Sequence, residues 1–129
     1  MSVPSPIQSP AATVLVTEDE PLVRMIAVET LREAGYEVRE AGDGVAALEI
    51  LERGGIDLLI TDIQMPRMNG YQLADAAMTR WPNLKILLIT GYAREGVPAS
   101  IASARLRTLQ KPFDIDRLPR LVAELLARG

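Results

Sequence analysis

Two carboxylates, Asp57 and Asp62, bracket a run that cannot face water, Leu58 to Ile60, and the second is followed at once by turn residues ending in Pro66. That pattern predicts a buried parallel strand delivering Asp62 to its carboxyl end. In open α/β sheets ligands bind outside the carboxyl ends of the strands, so a carboxylate there is a site candidate. Taken alone, Asp62 could equally cap a turn. Two other apolar runs end in the same way, one on Glu18, Asp19 and Glu20 and one on Thr90 and Gly91, and the segment from Arg107 to Gln110 ends on Lys111 and Pro112. The chain has no cysteine and no histidine, which removes disulfides, thiolate metal sites, the usual zinc ligand and the usual general base. Its chemistry must therefore be done by carboxylates, hydroxyls and lysine.

The elements between these groups read clearly. Residues 1–12 carry three prolines and no charged side chain, and are expected to form a disordered arm ahead of one domain over 13–129. Val14, Leu15 and Val16 form a first strand, and Pro21 suits the first position of a helix. In that helix Val23, Ile26, Ala27, Thr30 and Leu31 share the core-facing spacing, while Arg24, Glu29, Arg32 and Glu33 lie elsewhere on the wheel. Tyr36 to Ala41 makes a second strand, and Ala47, Leu48 and Leu51 give the second helix its inner face. A third helix opens at Asn69-Gly70, with Ala74, Ala77, Met78 and Trp81 on one side. Leu84 to Ile89 is the fourth strand, without alternation, as when helices cover both faces of a sheet. A short helix is expected from Pro98 to Ala104, then a fifth strand from Arg107 to Gln110. Leu118, Leu121, Val122, Leu125 and Leu126 form the stripe of a last helix, with Pro119 in its first turn, where the missing N–H costs least.

Alternating strands and helices predict an α/β fold: a doubly wound, five-stranded parallel sheet in the order 2-1-3-4-5, sandwiched between two helical layers. In that order strands one and three are neighbours at the switch point. Glu18 and Asp19 then lie beside Asp62, with Thr90 and Lys111 nearby, so that five polar groups converge from four strand ends. Three clustered carboxylates must either hold protons more tightly or bind a cation. Their hard oxygens suit Mg²⁺, which takes one or two carboxylates and keeps several waters. A carboxylate oxygen of Asp62 could then attack phosphorus, with Lys111 and the Thr90 hydroxyl neutralising the transferring oxygens, to give an aspartyl phosphate.

At these residues the chain resembles the receiver domain of two-component response regulators, a flavodoxin-like family, over residues 13 to 128. The motifs are Val-Leu-Val-Thr-Glu-Asp-Glu at 14–20, the Asp57 to Pro66 stretch, Thr90-Gly91 and Lys111-Pro112-Phe113. The resemblance implies that Asp62 is the phosphoacceptor in a phosphorelay. It also implies that Asp19, Asp62 and the main-chain carbonyl of Gln64 ligate Mg²⁺, with Glu18 acting through a water. Thr90 and Lys111 would contact the phosphoryl group, and the Lys111-Pro112 bond would be cis. A sensor histidine kinase or a histidine phosphotransfer protein would be the donor, and the domain would phosphorylate and dephosphorylate itself rather than turn over a substrate.

Departures from the family pattern bear on the output. Thr108 stands where many receivers carry an aromatic that rotates inward, so that readout is absent. Tyr92 is an alternative aromatic, and its Thr-Gly-Tyr setting is similar to a subset of stand-alone and kinase-attached receivers. Gln64 and Tyr92 hold positions that in this family flank the phosphoryl group and influence its survival, and Gly91 should leave room for water or a donor. The sequence ends at Gly129, directly after the last helix, so the expectation is a stand-alone cytoplasmic receiver, monomeric or weakly dimeric, signalling through changed binding of a separate protein. A phosphate sink without output and a receiver fragment of a longer hybrid kinase are the alternatives.

Each residue also has an ordinary explanation: an acidic first turn complementing a helix dipole, a strand-end threonine, a surface lysine. Their joint placement at one sheet edge argues for a site. Trp81, Met78 and Met65 are expected to pack in the core, and Arg94, Arg105 and Arg107 to lie on a solvated face. The net charge of −3 argues against general nucleic-acid binding, and no apolar run reaches membrane-spanning length. An aspartate phosphatase on such a sheet would need a second carboxylate two residues after its nucleophile, where Gln64 stands. A flavin carrier would need a phosphate-cradling loop where Glu18-Asp19-Glu20 would repel the phosphate.

Overall fold

The computed structural model describes residues 11–91 and 106–127. In chain order these form β1 (Thr13–Thr17), α1 (Pro21–Glu33), β2 (Glu37–Ala41), α2 (Gly44–Glu52), β3 (Leu58–Asp62), α3 (Gly70–Arg80), β4 (Lys85–Thr90), β5 (Leu106–Gln110) and α4 (Arg117–Ala127). The five strands make one sheet in the order β2-β1-β3-β4-β5, and every pairing is parallel. The helix expected from Pro98 to Ala104 falls outside the described residues, as do Tyr92, Arg94 and Arg105.

Side-chain alternation along each strand divides the core into two layers. Val14 and Val16, Leu58 and Ile60, and Leu87 and Ile89 pack with Ala27, Val28 and Leu31 of α1 and with Leu118, Leu121, Val122 and Leu125 of α4. Leu15, Leu59, Ile86 and Leu88 face the other way, against Ala47 and Leu51 of α2 and Leu73, Ala74 and Ala77 of α3. Both faces of β1, β3 and β4 are thus covered, which is why those strands carry unbroken apolar runs. Each large side chain so buried contributes roughly 1.5–3 kcal/mol.

Local signals set the helix ends. The Asp43 carboxylate accepts from Ala46 N at 2.8 Å to cap α2. Asn69 and Gln72 exchange side-chain and main-chain hydrogen bonds, both 2.9 Å, as a capping box on α3. Pro119 falls in the first turn of α4, as its lost donor requires. Met65 is buried, Met78 and Trp81 are half-buried against the α2–α3 layer, and Arg107 pairs with Glu124 at 3.2 Å.

The inner face of α1 departs from its wheel. Ala27, Val28 and Leu31 are buried, but Val23 is 42% and Ile26 50% exposed. The amino-terminal half of α1 stands beside a cavity of about 330 Å³, lined by Val23, Ile26, Lys111, Pro112 and Phe113, instead of packing onto the sheet.

Candidate functional site

Register brings the strand ends level. Thr17 pairs with Thr61 across β1 and β3, so Glu18 and Asp62 are the next residues along. Asp62 pairs with Ile89 across β3 and β4, and Thr90 with Gln110 across β4 and β5, which places Thr90 and Lys111 at the same rim. Glu18, Asp62 and Thr90 are all buried.

Asp62 is held from two sides. Lys111 Nζ donates to Oδ2 at 2.8 Å, and the Gln64 amide donates to Oδ1 at 3.1 Å. The Lys111 amide donates to the Thr90 carbonyl at 2.7 Å, and the Lys111-Pro112 peptide is cis, as expected. Burial alone would lower the Lys111 pKa, but its hydrogen bond to Asp62 and the charges of Asp62, Glu18 and Glu20 leave it raised. Lys111 is therefore a fixed positive charge on the carboxylate that the sequence singles out.

Glu18 is pushed up from 4.5 to about 7. Burial is the largest cause; the hydrogen bond from the Glu20 amide opposes it, and the charge and hydrogen-bonding of Asp62, with Asp19, add to it. Asp19 itself is exposed at the mouth, as are the Gln64 side chain and Gly91. Thr108 is exposed along β5, level with Leu88 and short of the strand end, so it is not brought to the site.

The carboxylate oxygens of Glu18, Asp19 and Asp62 are of the kind that suits a hard cation. Among the described residues no three acidic side chains come close enough to make a metal cage by themselves. A cation here must keep water in its shell, as magnesium does.

Residues with no chemistry of their own also shape the rim. A Cβ at Gly70 would lie 2.4 Å from the Asp62 carbonyl oxygen, so only glycine lets α3 start against the end of β3. Met68 packs where a Cβ on Gly44 would sit, at 2.6 Å from its Sδ, which docks the loop after Asp62 onto α2. Arg67 in that loop has φ +67°, left-handed for a non-glycine residue, at a cost of about 1 kcal/mol. Arg24, placed by its wheel position away from the core, reaches the Glu18 carbonyl with Nη1 at 2.7 Å. Its one sequence signal is a cation early in a helix, where the macrodipole disfavours it.

A doubly wound sheet whose rim combines buried acids, a hydroxyl and a lysine bonded to the central carboxylate defines the class. The chain belongs to the response regulator receiver domain family, whose profile matches residues 14–123. It is similar to the sensor kinase CckA of Brucella abortus, 39% identical over 93% of this chain, although it spans only 13% of that kinase's length. It is similar also to the receiver protein CpdR of the same organism, 38% identical over 88% of this chain and 95% of that one. Among solved structures, the regulator TrrA of Thermotoga maritima in complex with Mg²⁺ and BeF matches with a TM-score of 0.79 at 34% identity, covering 88% of this chain and 98% of that one. The receiver domain of the hybrid histidine kinase CckA matches with a TM-score of 0.75 at 38% identity, covering 89% and 99%. Receivers of this family work with histidine kinases or phosphotransfer proteins in two-component signalling. Among the described residues no helix is long and apolar enough to cross a membrane.

Proposed function

We propose that Asp62 accepts a phosphoryl group from a phosphohistidine donor, in the cytoplasm, and that the modified domain signals by a changed affinity for a separate protein. The observation that carries this reading is the 2.8 Å contact of Lys111 Nζ with Asp62 Oδ2 at a rim shared with Glu18 and Thr90. An Asp62 carboxylate oxygen forms the new bond to phosphorus as the bond from phosphorus to the donor's imidazole nitrogen breaks. The electron pair stays on that nitrogen. Lys111 neutralises the oxygens of the transferring group, and the Thr90 hydroxyl donates to one of them. Mg²⁺, held by Asp19, Asp62 and the main-chain carbonyl of Gln64, with Glu18 through a water, would offset the negative charge that otherwise repels a phosphate. Gln64 and Gly91, both exposed at this rim, would set the access of water to the group.

A donor protein needs a surface beside the site, and α1 offers one. Leu22 is 69% exposed and Met25 47% exposed, and the half-exposed Val23 and Ile26 line the apolar cavity that also takes in Lys111. Exposed apolar groups in one contiguous patch are a mark of protein contact.

The reading is tested by intact-protein mass after incubation with a small-molecule phosphodonor. One phosphoryl group gained only with Mg²⁺, and not by Asp62→Asn, supports it. Uptake by Asp62→Asn, or none by the folded wild type with Mg²⁺, overturns it.

A further inference from the structure

Glu18 is pinned by its main chain as well as by its carboxylate. Its amide donates to the Ala41 carbonyl of β2 at 3.1 Å, and its Oε2 accepts from the Glu20 amide at 3.1 Å. Its carbonyl takes the short bond from Arg24 Nη1, and the same guanidinium donates through Nε to Glu40 Oε1 of β2 at 3.1 Å. A Cβ on Gly42 would lie 3.2 Å from Nη1, so the glycine that follows β2 leaves Arg24 its space. The guanidinium therefore spans from β2 across to the peptide that joins Glu18 to Asp19. A planar, multi-donor group can hold both partners in one geometry, whereas an ammonium is a point charge.

We infer that Arg24 is a positioning residue: by fixing the Glu18–Asp19 peptide to β2 it holds both carboxylates in the arrangement that receives the divalent cation beside Asp62. This rests on the cation-assisted reading of the site. Arg24 touches neither Asp62 nor any reacting atom. Without it the Glu18 carbonyl loses its tie to β2, and Asp19, which is exposed, is held less firmly relative to Asp62.

Charge and position predict opposite signs here. Removing a cation near a cation site should, by Coulomb's law alone, tighten Mg²⁺ binding. Loss of a positioning partner weakens it, typically by 10-fold or more. A purely structural role would lower the melting temperature and leave the affinity of the folded protein unchanged.

The experiment is calorimetric titration of the full chain with Mg²⁺, well below the melting transition, for wild type, Arg24→Ala, Arg24→Lys and Gly42→Ala. Thermal melts and the phosphodonor mass measurement run on the same samples. Arg24→Ala should bind Mg²⁺ about 10-fold more weakly, with Arg24→Lys intermediate despite its retained charge and Gly42→Ala weakened in the same direction. Should Arg24→Ala not fold, the Lys and Gly42 variants carry the comparison. Affinity unchanged or tighter in the folded variants overturns the inference, as does a wild type that binds no Mg²⁺. A wild type that binds Mg²⁺ yet gains no phosphoryl group overturns the phosphoacceptor reading alone, and the variant affinities still decide the role of Arg24.

Discussion

The two ends of the sheet treat their charges in opposite ways. At the amino end every charge named has a partner that asks little of it. The Asp57 carboxylate accepts from the Thr13 amide at 2.8 Å and ties the start of β1 to that of β3. Lys85 Nζ donates to the Leu125 carbonyl near the end of α4 at 3.0 Å, and Arg80 pairs with Glu52 while lying 4.6 Å over the Trp81 ring. At the carboxyl end like charges are buried together, the Thr17 hydroxyl is buried without a hydrogen-bond partner, and Arg67 holds a left-handed backbone. One end is arranged for stability; the other stores unfavourable contacts that a ligand would relieve.

The sharpest way to break this contrast is to remove the central carboxylate. Asp62→Asn should lose all covalent phosphoryl uptake, read by mass, and yet gain about 1 kcal/mol of stability at pH 8, read by urea unfolding, because the ionised Glu18 then has no second carboxylate charge beside it. A loss of stability instead would count against stored repulsion. Gly70→Ala tests the backbone of the same rim: with a Cβ placed 2.4 Å from the Asp62 carbonyl oxygen, it should cost about 3 kcal/mol.

The pH dependence follows from Glu18, the acid raised to about 7 from 4.5. The folded protein binds this proton more tightly than the unfolded chain does. Its contribution is therefore fully present below about pH 4.5 and is lost as pH rises through about 7, by an upper bound of ~3 kcal/mol. Urea midpoints at pH 5 and pH 8 measure it. Mg²⁺ affinity should tighten over the same interval, since the ion competes with that proton.

At the amino end the sign reverses. Asp57→Ala should cost about 1 kcal/mol at neutral pH, by leaving the Thr13 amide without its acceptor, and should leave Mg²⁺ binding unchanged. The smallest effect is expected at Thr17→Val, which replaces a hydroxyl that makes no bond. Stability unchanged or raised by up to about 1 kcal/mol would fit, and a clear loss would show that the hydroxyl has a partner.

Most of the frame was legible because it depends on periodicity. Unbroken apolar runs ending in Glu18, Asp62 and Thr90 identify strands covered on both faces, and each strand boundary falls within about two residues of its reading. The meeting of Asp62 with Lys111 was legible because strand order fixes which ends are neighbours. What could not be read were contacts made by long side chains between elements. Arg24 belongs to the polar side of its wheel, and nothing local reports that it reaches Glu18 and Glu40. Val23 and Ile26 have core spacing but stand at the rim, because spacing records direction around a helix and not whether a partner lies opposite.

Asp62 is the last residue of β3, the middle strand of the sheet, paired on one side with β1 and on the other with β4. A central strand of this kind is where amide hydrogens are expected to exchange slowest, although the Asp62 carboxylate is the group proposed to react. A modification there cannot be absorbed by yielding of the strand. On the proposed reading the disturbance would pass outward to side chains and loops at the rim, so that the rigidity of β3 would turn a local change of charge into a message readable at the surface.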